Sequence, residues 1–313
     1  MELRIEAVED AAEAGVWLEV RNAVALESMT ESELARLDEM APDMTLLIAR
    51  DGDRVVGAGA VWSEFDGRAA AGVSCLVLGS ERRRGVGAAI YRDLSRRAAE
   101  RGRSELQGII PAEDTESLGL VLAHGFRETT RSQRATLELT EAPAARSSPD
   151  GVTVVALAER PDVEHGMYEV AREAWADIPI DEPPEAGSEA EWRRKDLALA
   201  RPELSVAALA GDEVVGYATV GDFGEGAALH LMTGVRRAWR GRGVARALKE
   251  AAIERARTAG LRQLVAFNDA TNVPMQRLNV ALGFELHPVY VVVRGPLAPG
   301  VSADSTASRP ASS

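Results

Sequence analysis

The chain has 313 residues, 46% of them hydrophobic and 27% charged, with a formal net charge of −13. This is an ordinary globular mixture with room for about two domains; no apolar run approaches the ~18 residues of a membrane span, and the acidic surplus excludes a general nucleic-acid binder. The opening MELRIEAVED has no basic-then-apolar leader, and Cys75, the single cysteine, has no partner for an internal disulfide, so a cytoplasmic protein without membrane or nucleic-acid partners is expected.

In chain order, Leu3 to Val8 alternates as a strand and Glu13 to Val24 is helical. Thr45 to Ala49 and Val55 to Trp62 are strands separated by the Asp51-Gly52 turn. Val73 to Leu78 is a strand in which Cys75 is expected to be buried. Val86, Ile90, Leu94 and Ala98 then recur at helical spacing. Leu106 to Ile110 is a strand, Ser117 to Ala123 a short helix stopped at Gly125, and Thr136 to Leu139 closes the half. The same order returns with strands at Ser205 to Ala208, Val214 to Val220 and Leu229 to Val235, a helix from Val244, a strand at Leu264 to Phe267, a helix from Pro274 and a closing strand at Val289 to Val293. Residues 141–151, EAPAARSSPDG, read as a linker, and Pro299 to Ser313 as a Ser/Ala/Pro-rich disordered tail.

The recurrence is an internal repeat. Gly52-Asp53-Arg54-Val55-Val56-Gly57 returns 159 residues later as Gly211-Asp212-Glu213-Val214-Val215-Gly216. Arg82-Arg83-Arg84-Gly85-Val86-Gly87 returns 158 later as Arg240-Gly241-Arg242-Gly243-Val244-Ala245, and Gly125-Phe126 returns 158 later as Gly283-Phe284. Three matches in order at a nearly constant offset mark a duplication. The expected layout is a domain over 1–140, the linker, a second domain over 152–296, and a tail from 297.

At the centre of each half a strand runs through an Arg/Gly turn into a helix. Free N–H groups of the helix start and its positive dipole end converge there, and arginines add forked donors, so the turn suits a pyrophosphate. A Walker loop is excluded because its Lys is missing, and neither copy fits Gly-x-Gly-x-x-Gly/Ala. The four histidines, His124, His165, His230 and His287, show no ligand spacing, so no metal is expected.

Arg82-x-x-Gly85-x-Gly87 and Arg240-x-x-Gly243-x-Ala245, each between a strand and a helix and each followed by a later Gly-Phe, resemble the acyl-CoA signature of the GNAT N-acyltransferase superfamily, in a tandem bacterial form. The resemblance implies two α/β domains, each with a mixed, mostly antiparallel sheet splayed at its fourth and fifth strands and flanked by helices, with acetyl-CoA as co-substrate. It implies that the backbones of Val77, Leu78 and Gly79, and of Val235, Arg236 and Arg237, pair with the pantetheine. Arg82, Arg84, Gly85, Val86, Gly87 and Ala88 would hold pyrophosphate in the first half, and Arg240, Gly241, Arg242, Gly243, Val244, Ala245 and Arg246 in the second. Asn268, Asn272, Met275/Gln276 and Asn279 follow the fifth strand of the second half, the last three positions on one helical face, and that face is expected at the thiol. Many members of the superfamily protonate the leaving thiolate with a Tyr four residues before the Gly of Gly-Phe. That position is Val121 in the first half and Asn279 in the second, and neither donates a proton, although Asn279 offers the sulfur a hydrogen bond. His230 is the candidate base, and the second half the candidate catalytic copy. Asp177 and the acidic run Asp181 to Glu185 are candidates for attracting an amine.

The expected activity is acetyl transfer to a primary amine of a small molecule by a monomer or homodimer. A protein or peptide N-acetyltransferase and a non-catalytic acyl-CoA-binding module are the alternatives.

Overall fold

The computed structural model describes residues 2–63, 70–140, 148–177, 187–224 and 226–303. Most of the linker, the last ten residues, Glu225 and the run Asp181 to Glu185 lie outside the described residues. Two compact units emerge: Met1–Thr129 with Tyr290–Ser313, and Thr130–Val289.

The first unit contains β1 (Leu3–Ala7), α1 (Ala11–Val24), α2 (Glu31–Met40), β2 (Thr45–Asp51), β3 (Arg54–Ser63), β4 (Ala70–Val77), α3 (Val86–Glu100), β5 (Glu105–Pro111) and α4 (Thr115–Ala123). Local chemistry sets several boundaries. Asp10 caps α1 by accepting from Glu13 N, and Thr30 with Glu33 forms a reciprocal capping box on α2. Val86, Ile90, Leu94 and Ala98 give α3 one buried stripe, which packs on Leu47, Ala49, Val56 and Leu106. Trp17, Leu18 and Val20 of α1 fill the opposite face of the sheet against Ile48, Ala58 and Ala60.

The second unit contains most of β6 (Arg127–Glu138), then β7 (Thr153–Ala156), α5 (Glu164–Trp175), α6 (Glu189–Lys195), β8 (Val206–Ala210), β9 (Glu213–Asp222), β10 (Ala227–Val235), α7 (Val244–Thr258), β11 (Gln263–Asp269), α8 (Val273–Ala281) and the start of β12 (Glu285–Pro296). One sheet face packs on α7 through Val244, Leu248, Ala252 and Leu264, with Phe284 in the same cluster. The other packs on α5 and α6 through Met167, Val170, Trp192 and Tyr217. In both units the sheet is antiparallel except for one parallel pair, β4 with β5 and β10 with β11.

The closing strands depart from the sequence reading. Thr136 does not close the first half. It pairs with Val265, because β6 runs antiparallel to β11 from Gln263↔Glu138 to Asp269↔Ser132. Reciprocally, Val293 pairs with Gly108, because Tyr290–Pro296 of β12 completes the first unit against β5. Each unit is thus finished by a strand from the other end of the duplication. Side chains fix both registers: Arg294 donates to Gln107 Oε1 at 2.8 Å and Tyr91 OH to Pro296 O at 3.0 Å in the first unit. In the second, Gln133 Nε2 donates to His287 O at 2.9 Å, and the Thr130 hydroxyl donates to Asp269. A repeat pattern reveals that a strand exists, but not which copy of its partner it joins, since both copies present the same alternation.

Val293 is 2% exposed and sits mid-strand. Val293→Pro removes a ladder donor in the middle of a sheet and is expected to destabilise the first unit. By hydrogen exchange, the β5 amides of Leu106 to Ile110 should lose protection although they lie almost two hundred residues away in sequence. Unchanged protection across β5 in a folded variant would contradict the exchange.

Candidate active site

The parallel pair comes apart in both units. In the first, among the described residues β4 and β5 pair at Ala70↔Glu105, Ala71↔Leu106 and Gly72↔Gln107 and then separate. In the second, β10 and β11 pair from Ala227↔Gln263 to His230↔Ala266 and then separate. Met232 to Val235 stay bonded to β9 on one side, and among the described residues no strand pairs with their other edge. Such an edge presents backbone N–H and C=O groups that an extended amide-bearing ligand satisfies as an added strand. The two splits differ. β10 carries a bulge between His230 and Met232, so Leu231 is an extra residue, whereas β4 runs along β3 in unbroken register. A bulge re-aims the side chains and amides next to it.

Each split leads to the Arg/Gly turn. Gly85 and Gly243 are the N-caps of α3 and α7, both at φ 84°, and neither cap position supplies a side-chain acceptor. The first helical bonds are Ala89 N to Gly85 O and Ala247 N to Gly243 O, so the N–H groups of Val86, Gly87, Ala88 and of Val244, Ala245, Arg246 lie ahead of them. The second turn is braced from outside. Arg237 forms a bidentate pair with Asp177 at 2.7 and 2.9 Å, Arg240 Nη1 meets the same carboxylate at 2.7 Å, and the Arg237 amide donates to Glu173. The two guanidiniums hold the Asp177 carboxyl down at about 2. Asp177, expected to attract an amine, is instead committed to the loop. Arg240 Nε also donates to Val235 O at 3.0 Å, Arg236 Nε donates to Val214 O at 2.9 Å, and Arg242 lies over the Trp239 ring at 5.0 Å.

The first turn carries the same motif in a different setting. Arg83 takes φ 63° where the second copy has Gly241 at φ 73°, a left-handed backbone that a side chain strains. Glu81 is buried and binds Arg84 at 2.6 Å and Arg54 at 3.1 Å; its counterpart in the second copy is Trp239. Arg82 and Arg83 both reach Glu116. At the end of the strand pairing, a Cβ on Gly72 would lie 2.1 Å from Trp62, so the indole rests directly on the backbone where the split opens. Cys75 is exposed, not buried, because β4 has already left β5 three residues earlier.

α8 carries the residues of the expected helix face. Asn272 caps α8 by accepting from Met275 N at 3.3 Å, and Gln276 Nε2 donates to Ala270 O at 2.8 Å, tying down the loop after β11. Asn268 lies at the end of β11 opposite Gln133. Asn279 is 0% exposed, and both atoms of its amide lack a hydrogen-bond partner among the described residues. His230, two residues beyond Ala228 of the α7-facing core, is 7% exposed; its Nε2 meets Thr233 Oγ1 at 2.6 Å, and its Nδ1 has no hydrogen-bond partner among the described residues. Burial, reinforced by Lys249, pushes the imidazole well below its usual 6.5, so it is neutral.

Lys249 was not anticipated. It lies on α7, 1% exposed, with Nζ 5.1 Å from the centre of the Phe284 ring, and burial lowers its ammonium to about 7. Phe284 N donates to Asn279 O at 3.0 Å, which links the lysine to the α8 end. The sequence held one signal: Lys195 and Lys249 are the only lysines among 36 basic residues, and Lys249 directly follows the core residue Leu248. The first unit has none of this group. Allowing for the bulge, His230, Thr233, Lys249 and Asn279 correspond to Val73, Cys75, Tyr91 and Val121. Among the described residues no set of His, Cys, Asp and Glu could hold a metal, and no helix is long and apolar enough to cross a membrane.

A geometry of two split sheets, each leading to a glycine-capped helix, invites comparison with known proteins. Residues 6–126 and 166–284 both match the Acetyltransferase (GNAT) family. Among solved structures, a GCN5-related N-acetyltransferase from Sphaerobacter thermophilus is 23% identical with TM-score 0.73, covering 96% of this chain and 97% of its own. A tandem GNAT protein from the clavulanic acid biosynthesis pathway is 22% identical with TM-score 0.64, covering 96% and 100%. A GCN5-related N-acetyltransferase from Kribbella flavida is 16% identical with TM-score 0.52, covering 78% and 88%. No curated protein matches the chain in sequence. With both halves matched, the chain belongs to the GNAT acetyltransferase family and is a tandem N-acetyltransferase.

Proposed function

We propose that the second unit transfers an acetyl group from acetyl-CoA to a primary amine of a small molecule, and that the first unit is a scaffold without turnover. The asymmetry of the two turns carries this reading. A pyrophosphate carries negative charge, and the carboxylate of the first turn, Glu81, is 5% exposed and claims Arg84, whereas Asp177, which holds Arg237 and Arg240 at the second turn, is 31% exposed. The second turn has Trp239 in that place and glycine where Arg83 is strained, and its bulged strand supplies re-aimed amides.

In this reading the free edge of Met232–Val235 binds the pantetheine as an added strand; the backbones of Arg236 and Arg237, expected to share in this, already bond Val215 O and Glu173. Arg240 through Arg246 hold the pyrophosphate at the start of α7. The thioester then lies at the parting of β10 and β11, where the amine nitrogen attacks its carbonyl carbon. A backbone N–H at the Leu231 bulge takes the developing oxyanion. The neutral imidazole of His230 accepts the proton that the nitrogen gives up. The Asn279 amide, otherwise unsatisfied, donates a hydrogen bond to the sulfur. Tyr91, Val121 and Val73 provide no such set in the first unit.

Incubation with acetyl-CoA and a panel of primary amines should release free thiol only when an amine is present, and short peptides should not replace the amines. Release with peptides alone would make the protein a peptide acetyltransferase, and no release with any amine would make it a binding module. Gly243→Val puts a β-branched residue at φ 84° in the second turn and should lower turnover by about 10²-fold or more. Gly85→Val imposes the same strain on the first turn and should leave kcat within about threefold. Equal losses in the two variants would contradict the division of labour.

A further inference from the structure

We propose that Lys249 is the acid that protonates the departing thiolate, so that in this enzyme the proton donor stands on α7 rather than on α8. The inference rests on the reading of the second unit as the catalytic one. Three observations lead to it. The helix α8 presents an amide, Asn279, which has hydrogen-bonding capacity but no proton to give. His230 is held neutral by burial and by the charge of Lys249, so it suits taking a proton rather than supplying one. Lys249 is the remaining proton donor of these three, and its Nζ lies 5.1 Å from the ring of Phe284, just beyond the end of α8. It is as fully buried as Asn279 itself.

The duplication supplies a control. The residue corresponding to Lys249 is Tyr91, whose hydroxyl is committed to Pro296 O at 3.0 Å. Lys249 has no such commitment: among the described residues its recorded contact is an aromatic ring, and no carboxylate faces it. Of the titratable groups around it, His230 from β10 feels its charge; on its own helix, Glu250 is engaged by Arg246. A buried ammonium without a counter-ion is costly to keep unless its charge is used. Burial sets its proton affinity near neutrality, where a general acid is most effective.

The step balances. The amine nitrogen forms a bond to the carbonyl carbon, the C–S bond breaks with its electron pair passing to sulfur, and the Lys249 ammonium gives its proton to that sulfur, leaving CoA as the thiol. His230 takes the proton lost by the nitrogen and then returns one to the neutral Lys249, restoring both groups.

Lys249→Met and Lys249→Arg test the assignment, with acetyl-CoA as donor and whichever amine the wild type accepts. Both should lower kcat about 10²-fold with KM for acetyl-CoA nearly unchanged, since Arg keeps the charge but does not release a proton. Wild-type kcat should fall as pH rises through the lysine's ionisation, and that limb should vanish in both variants. Asn279→Tyr placed on Lys249→Met should restore activity at least about tenfold, because it puts a proton donor on α8. Lys249→Met should fold: the wild-type unfolded state binds the extra proton above pH 7, so stability gains with pH up to about 10, and the variant should lose that slope. With only two lysines, nitrogen-15 labelling reads the Lys249 ionisation directly and without turnover. Variants as fast as an active wild type, or a Lys249→Arg that keeps full kcat, would overturn the assignment alone. A wild type silent toward every amine would overturn the functional reading and the assignment with it.

Discussion

The parting of β10 from β11 after His230 and Ala266 is the constraint on which the second unit depends. A parallel pair that continued would satisfy its own backbone and leave no site. By separating, β10 keeps its bonds to β9 and turns an unpaired edge inward, where polar backbone needs a partner. The bulge at Leu231 occurs at the same place, so the strand changes direction where chemistry is required. The Arg/Gly turn lies at the far end of that edge, and its helix presents free N–H groups to the same ligand.

Duplication lets one copy be compared with the other under nearly identical folds. The first unit keeps the split, the left-handed glycine cap and the helix, but surrounds them with groups unsuited to an anion or an acceptor. Glu81 neutralises Arg84, Arg83 occupies a glycine conformation, and Trp62 covers Gly72. The second unit concentrates unsatisfied polar atoms on His230 and Asn279 beside a buried lysine. Buried polar groups without partners cost stability, which is reasonable where a ligand supplies the missing bonds. The exchange of closing strands adds that the first unit needs both ends of the chain, whereas the second is one continuous stretch, Thr130–Val289, that takes in the closing strand of the first copy.

Much of this was legible in the sequence. Periodicity places α3 and α7, the strands that lead into them and the hairpins, because these elements are amphipathic and their turns carry glycine. The repeat places the turn residues in corresponding positions, and the expected splay is present in both copies. Three features were not legible. The strand exchange was hidden because β6 and β12 offer similar alternation to either partner. The bulge was hidden because one extra residue in a strand looks like ordinary drift in repeat offset. Burial of Lys249 was hidden because a lysine beside an apolar stripe normally extends its amine to solvent. Cys75 departs in the opposite direction: it lies on β4 beyond Gly72↔Gln107, and its side chain is exposed.

The central claim is that one turn, the second, is a working acyl-CoA site. The most direct measurement is calorimetric titration of the intact protein with acetyl-CoA, made on the wild type and on variants that strain each turn in turn. The account predicts about one site per chain, lost when Gly243 is replaced and kept when Gly85 is replaced. Two sites, no binding at millimolar ligand, or a single site lost with Gly85 would contradict it.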